Sequence, residues 1–231
     1  MFEFDFSLLL RGQYHEMLVA GLLLSLKLAA VTLVFAVPLA MLVALLRLAP
    51  LRALQWLGFA YVESIRNVPL LAHMLFWYFA APEWLPEDLK AWLYAGNIEA
   101  ASAIVALTLY TAAFMSEDMR SGIRAVPTVQ LEAARALGFG YLASMRLVIL
   151  PQALRITVPP LISQTLNLWK NTSIATVIGV AELMYQAGQV ESATFRSFES
   201  FAFATAAYLT VSLAITGLAA WYQSRYPSRT A

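Results

Sequence analysis

The chain has 231 residues, 61% of them hydrophobic and only 13% charged, with a formal net charge of +1 and a mean hydropathy of +0.68. A soluble core does not need so much apolar sequence, whereas a polytopic membrane protein does, and a near-neutral balance supplies no field for nucleic acid. With no cysteine and two histidines, His15 and His73, there is no material for disulfides, thiol nucleophiles, Cys-zinc centres or histidine triads.

Residues 1–16, MFEFDFSLLLRGQYHE, carry Glu3 and Asp5 where a signal peptide would be basic, and are expected to form an interfacial lead-in. A single membrane domain is predicted over residues 17–231. Its spans are expected at 17–46, 53–80, 98–116, 158–180 and 201–222, each long enough to cross about 30 Å of hydrocarbon. The predicted fold class is therefore all-α, a polytopic membrane protein of about five transmembrane helices. The first span holds one charge, Lys27, which can snorkel. The segment APEWLPEDLKAWLYAGN, with its prolines, acids and aromatics, is expected to be an interfacial loop. Residues 181–200 are expected to include a short surface helix.

Basic residues set the orientation. Arg47, Arg52, Arg120, Arg124, Arg135, Arg146, Arg155, Arg225 and Arg229 fall on one side, and Arg11, Lys90 and Arg196 on the other. The positive-inside rule then places the N-terminus in the periplasm and the C-terminus in the cytoplasm.

Between the third and fourth spans lies EAARALGFGYLASMRLVILP, residues 132–151, too polar to span and too apolar for a solvated linker. Strong helix formers run to Leu137, Gly138 and Gly140 interrupt them, and a helical pattern resumes before Pro151. Two short helices across the cytoplasmic face are predicted, with Ala133, Ala134 and Ala136 as a smooth surface edged by Glu132 and Arg135. Such a surface suits close approach by another protein.

This segment, within a loop spanning residues 126–151, resembles the EAA motif of ABC importer permeases: Glu132-Ala133-Ala134, then Gly138, then Val148-Ile149-Leu150-Pro151. Further stretches are similar to the polar amino-acid branch, the histidine/glutamine/glutamate type, namely YVESIRNVPLLAHMLFWYF, SEDMRSGIRAVP, LPQALRITVPPLISQ and LWKNTSIATVIGVAEL. Within that branch RNVPLL, PEWLPEDLKAW, KNTSIATVIGVAELMYQAGQ and SFESF look most like glutamate/aspartate importer permeases. Val148 stands where isoleucine is commoner, Thr128-Val129 where a basic-glycine pair is frequent, and His73 where glutamine is frequent. The resemblance implies a type I importer permease fold in the bacterial inner membrane. It assigns Glu132, Ala133, Ala134, Arg135, Gly138 and Pro151 to coupling with an ATPase. The implied partners are a cytoplasmic ABC ATPase dimer, a second permease subunit that is a paralogue, a periplasmic amino-acid-binding protein, and membrane lipid. No cofactor is expected in this chain, since it lacks GxxxxGK[ST]; ATP and magnesium would sit on the ATPase.

Two cations fall well inside spans. Arg66 and Lys170 each lie about 20 Å along a helix from the basic side, and a mid-membrane charge costs at least about 2.5–3.5 kcal/mol, so each should face a cavity or a counter-ion. Arg66 either pairs with Glu63, three residues earlier, or meets substrate. Lys170 has no acid within a turn and is followed by Asn171, Thr172 and Ser173, the pattern of a cavity lining or a distorted helix. It either meets an anionic substrate or pairs with a distant acid. His73, two turns beyond Arg66, would share its face, as a core residue or on the path. Asn67, Gln164 and Asn167 would bind substrate or bridge helices. Glu117 and Arg120 are expected to pair at a gate or hinge, and Pro159-Pro160 to kink the start of the fourth span. Together these predict a permease of an ATP-driven importer of polar amino acids, glutamate or aspartate first, with glutamine, histidine or another amino acid as the alternative. An ion-coupled secondary transporter would show inverted repeats, which are not evident.

Overall fold

The computed structural model describes Leu9 and residues 11–226, and among them every regular element is helical. In chain order the helices are α1 Gln13–Leu48, α2 Arg52–Arg66, α3 Leu70–Leu75, α4 Glu87–Ala95, α5 Ile98–Arg124, α6 Thr128–Ala136, α7 Tyr141–Ser144, α8 Leu150–Asn171, α9 Leu183–Thr194 and α10 Ser197–Arg225. Four continuous helical runs are long and apolar enough to cross a membrane: Gln13–Leu48, Ile98–Arg124, Tyr141–Ile178 and Ser197–Arg225. The lead-in expected over residues 1–16 falls largely outside the described residues, and α1 starts within it, at Gln13.

Helix α5 is the centre of the bundle, packed on α1 along one side and on α8 along another. In lipid there is no hydrophobic gain from bringing helices together, so close backbone approach has to supply the attraction. The sequence provides small residues for it: Gly21, Ser25, Thr32, Ala36, Ala40 and Ala44 form the buried stripe of α1. Ala36, Ala40 and Ala44 meet Ala112, Met115 and Met119 of α5. Where α5 crosses α8, a Cβ on Gly122 would overlap Thr157 Oγ1, so glycine is required by space.

The second predicted span, 53–80, is not one helix. It ends at Arg66, and α3 restarts after Pro69. Proline disfavours α-helical geometry in the residue before it, and here the run is interrupted at Asn67 and Val68. The break is stitched by Asn67 Nδ2 donating to Glu63 O at 2.8 Å and by a His73 Nε2 contact to Ile65 O at 3.0 Å. A π turn, Phe76–Ala80, and a 3-10 turn, Ala81–Trp84, complete the segment.

The expected outer loop contains α4, tied to the preceding 3-10 turn by Lys90 Nζ donating to Glu83 Oε2 at 2.6 Å. Helix α9 is not a surface helix. Leu183, Ala187 and Val190 are fully buried against Leu18 and Ala204, and a Cβ on Gly21 of α1 would come within 3.0 Å of Leu183 Cα.

Candidate functional site

The segment singled out for coupling begins after Pro127, where α6 starts. Helix α6 ends in a Schellman turn: Gly138 N donates to Arg135 O and Phe139 N to Ala134 O, with Gly138 at φ +89°. That left-handed conformation is why glycine stands there, since nothing lies within 4 Å of a Cβ at this position. Glu132, Ala133 and Arg135 are exposed. Ala134 is not part of an open alanine surface, as it is only 4% exposed. Leu131 fastens the same helix to the cluster of Val126, Ile149 and Ala153.

The second of the two predicted short helices is not separate. From Tyr141 the chain is helical without a gap to Ile178, through a π turn at Met145–Ile149. Pro151 has no N–H to close an α turn on Leu147, and the wide π turn falls just there. The helix that follows the α6 turn is thus the one that carries Lys170, 19 residues or about 28 Å beyond Pro151.

At that far end α5 and α8 part around a cavity of about 500 Å³, lined by Tyr110 and Phe114 from α5 and by Gln164, Asn167, Lys170 and Asn171 from α8. Gln164, Asn167 and Asn171 recur at helical spacing, so one face of α8 is amide-lined. Among the described residues no carboxylate pairs with Lys170. Arg66 reaches the margin of the same cavity, its guanidinium 4.8 Å from the Phe114 ring centroid.

Several predicted roles are corrected here. Glu63 does not pair with Arg66: its carboxylate accepts from Asn67 Nδ2 at 2.9 Å, and the Arg66 guanidinium turns to Phe114. The carboxylates that interact with Arg66 are Glu117 and Asp118 of α5. His73 does not continue the Arg66 face, since the break at Pro69 lies between them; it is buried beside Tyr110, rings 6.1 Å apart. Gln164 bridges helices, with Nε2 donating to Asp118 Oδ2 at 3.0 Å. Thr172 is fully buried and donates to Trp169 O, and Ser173 donates to Lys170 O. The distortion anticipated after Lys170 is present as a 3-10 turn, Thr172–Ile178, closed by Gly179 at φ +86°.

Glu117 and Arg120 do pair, through Arg120 Nε at 3.0 Å and Nη2 at 2.7 Å from Oε2, with Arg47 Nη2 at 3.6 Å from Oε1. Pro159 and Pro160 lie inside α8, a helix that begins before the predicted start of the fourth span.

One polar centre has no counterpart in the sequence reading. Glu182, fully buried, caps α9 by accepting from Tyr185 N at 2.9 Å and also accepts from Ser25 Oγ at 3.1 Å and Tyr208 Oη at 2.8 Å. Ser25 Oγ in turn accepts from Leu183 N, and Trp169 Nε1 donates to Tyr208 O. Burial pushes the Glu182 carboxyl above the usual range, opposed by these hydrogen bonds. An acid framed by apolar residues, VAELM, just before a helical pattern was the available signal.

Comparison with known proteins places this arrangement. Residues 36–227 match the family model for the inner membrane component of binding-protein-dependent transport systems. The probable glutamine ABC transporter permease protein GlnM of Bacillus subtilis (strain 168) is 40% identical over 92% of this chain and 90% of its own length. The glutamate/aspartate import permease protein GltJ of Escherichia coli (strain K12) is 40% identical over 72% of this chain and 70% of its own. GltK, from E. coli O6:H1, is 31% identical over 97% and 99%. The crystal structure of an amino acid ABC transporter with histidines superposes with a TM-score of 0.83 at 30% identity, covering 97% of this chain and all of that one. The chain therefore belongs to the inner membrane components of binding-protein-dependent transport systems, among the amino-acid ABC permeases, and is a transport subunit rather than an enzyme.

Proposed function

We propose that this permease imports an acidic amino acid, glutamate or aspartate, through the cavity between α5 and α8. The observation that carries this is the pairing of an amide-lined wall with Lys170, a cation left without a carboxylate among the described residues. Glutamate brings two carboxylates and one ammonium into a low-dielectric region, where a fixed cation lowers the barrier for net negative charge. Arg66 extends that positive field at the cavity margin, and the Asp118 carboxylate in the adjoining wall is a counterpart for the substrate ammonium. Glutamine is the second reading, favoured by the amides of Gln164, Asn167 and Asn171 and by the likeness to GlnM.

ATP closure of two cytoplasmic ATPase subunits would press on α6, and Glu132, Ala133, Arg135 and the Gly138 turn would carry the movement into α7 and α8. Free energy enters because ATP binds the closed arrangement more tightly than the open one. A second permease chain, a paralogue, would enclose the path, a periplasmic binding protein would deliver the amino acid, and the N-terminus would lie outside and the C-terminus inside the cytoplasm.

The test is radiolabelled uptake into proteoliposomes containing this chain with its companion permease, ATPase and binding protein. Glutamate, aspartate, glutamine, histidine and arginine are compared with and without ATP on the ATPase side. ATP-dependent uptake of glutamate or aspartate is expected. Glutamine uptake alone would select the second reading, and uptake driven by an ion gradient without ATP would contradict both.

A further inference from the structure

A second polar pocket lies at the arginine-rich end of the bundle, away from the transport cavity. The end of α1, the start of α2 and the end of α5 enclose about 330 Å³, into which Arg47, Arg52, Arg120 and Arg124 converge beside Trp56 and Phe59. Glu117 is the carboxylate that answers them, and it is already engaged by Arg120 and Arg47. Asp118, the next acid on α5, is turned to Gln164 of α8. Four guanidiniums thus face one carboxylate.

The arginines are held in place. Gly58 of α2 lets the Arg47 stem cross at a distance no side chain would allow, since a Cβ there would lie 2.9 Å from Arg47 Cγ. The Arg47 guanidinium also stands 5.3 Å from the Phe59 ring centroid. Despite this, Arg47 Nη1 is a buried donor with no acceptor. That nitrogen is closed to solvent and so to a ligand, and the guanidiniums open to the pocket are those of Arg52 and Arg124. The N-terminus of α2 opens beside it at Arg52 with no side-chain cap, adding its positive dipole end.

We propose that this pocket binds the phosphate headgroup of an anionic membrane lipid, with the Arg52 and Arg124 guanidiniums as donors. The source is a lipid rather than a free phosphate because the rim is apolar and exposed: Trp56 is 66% exposed, and Leu51 and Leu57 on the same turns are also open. A phosphate from solution would leave that rim bare, whereas acyl chains would cover it while the headgroup sits on the arginines. Basic pockets between membrane helices take anionic headgroups for this reason, and an indole at the interface anchors the same level. The proposal rests on the membrane-spanning architecture and not on the identity of the transported amino acid.

The test is native mass spectrometry of the full chain, assembled with its transporter partners and released from detergent, after exposure to phosphatidylglycerol, phosphatidylcholine or inorganic phosphate. The expected result is a retained phosphatidylglycerol adduct, at least fivefold above phosphatidylcholine, that falls at least fivefold in the double variant Arg52→Gln, Arg124→Gln. The variant Arg146→Gln, Arg155→Gln, which removes the same charge outside the pocket, should keep the adduct. Gel filtration of both variants checks assembly, and because all four side chains are exposed, assembly is expected to survive. Equal loss in both double variants would reduce the effect to general charge and overturn the site. Displacement of the adduct by millimolar inorganic phosphate would overturn the lipid source, and retention of the adduct in Arg52→Gln, Arg124→Gln would overturn the proposal altogether.

Discussion

Glu182 and Lys170 are both ionisable groups set among membrane helices, and their surroundings are opposite. The Glu182 carboxylate is sealed from solvent and accepts from Ser25, Tyr208 and Tyr185 N. Lys170 opens on a cavity and meets no carboxylate among the described residues. A carboxyl that is sealed and fully bonded ties three helices together through its hydrogen bonds, and those bonds are what it gives to the fold. An open charge with no partner contributes little to the fold and remains available to whatever passes.

The contrast can be broken at Glu182 first. Glu182→Ala leaves one buried and two part-buried donors without their acceptor, at about 1–3 kcal/mol for a fully buried one, so a loss of about 3 kcal/mol is expected in denaturant unfolding of the detergent-solubilised chain. An unchanged midpoint would remove the structural role. Ser25→Ala should cost less, about 1 kcal/mol, because Tyr208 and Tyr185 N still serve the carboxylate. In contrast, Lys170→Ala is expected to change stability by no more than about 0.5 kcal/mol, the usual range for a side chain with no partner.

The smallest effect is on pH dependence. Because burial holds the folded Glu182 pKa above its unfolded value of 4.5, ionisation works against the fold. Its stabilising share is complete below the unfolded pKa and is lost as pH rises through the folded one. Thermal melts of wild type and Glu182→Gln between pH 7.5 and pH 5 should show their difference shifting toward the wild type as pH falls. A constant difference would mean that the carboxyl has the same pKa folded and unfolded.

In the turn ahead of the helical run Tyr141–Ile178 the same logic applies to backbone rather than charge. Gly138 sits at φ +89°, a conformation closed to proline, whose ring fixes φ near −65°. Gly138→Pro is expected to abolish uptake while leaving the affinity of the binding protein for its amino acid unchanged, as measured by calorimetry on that protein and by uptake in proteoliposomes.

What could be seen in the sequence was whatever depends on neighbours along the chain. Apolar runs marked the four helical runs long enough to cross a membrane, and the glycines at 138 and 140 marked the turn that ends α6. Pro69 was visible too, but the hydrophobicity of residues 53–80 hid the break it makes. The Arg66–Glu63 pair failed although both lie on α2 at helical spacing, because the Glu63 carboxylate is taken by Asn67 Nδ2 and the Arg66 guanidinium stands over Phe114 of α5. The rest depends on distant partners. Asp118 reaches Gln164 across 46 residues, and Ser25 reaches Glu182 across 157, distances over which periodicity carries no information.

The central claim is that the unpaired Lys170 selects the acidic side chain, and it is tested most directly by the ratio of glutamate to glutamine uptake. Both amino acids are supplied at equal binding-protein occupancy to proteoliposomes carrying wild type or Lys170→Ala. A carboxylate near a cation at an effective dielectric of about 20 gains at most about 4 kcal/mol before desolvation, and about 1.4 kcal/mol of net loss is tenfold in rate. The account predicts that the ratio falls about tenfold in Lys170→Ala and recovers in Lys170→Arg. A ratio equal to that of wild type in both variants would contradict it.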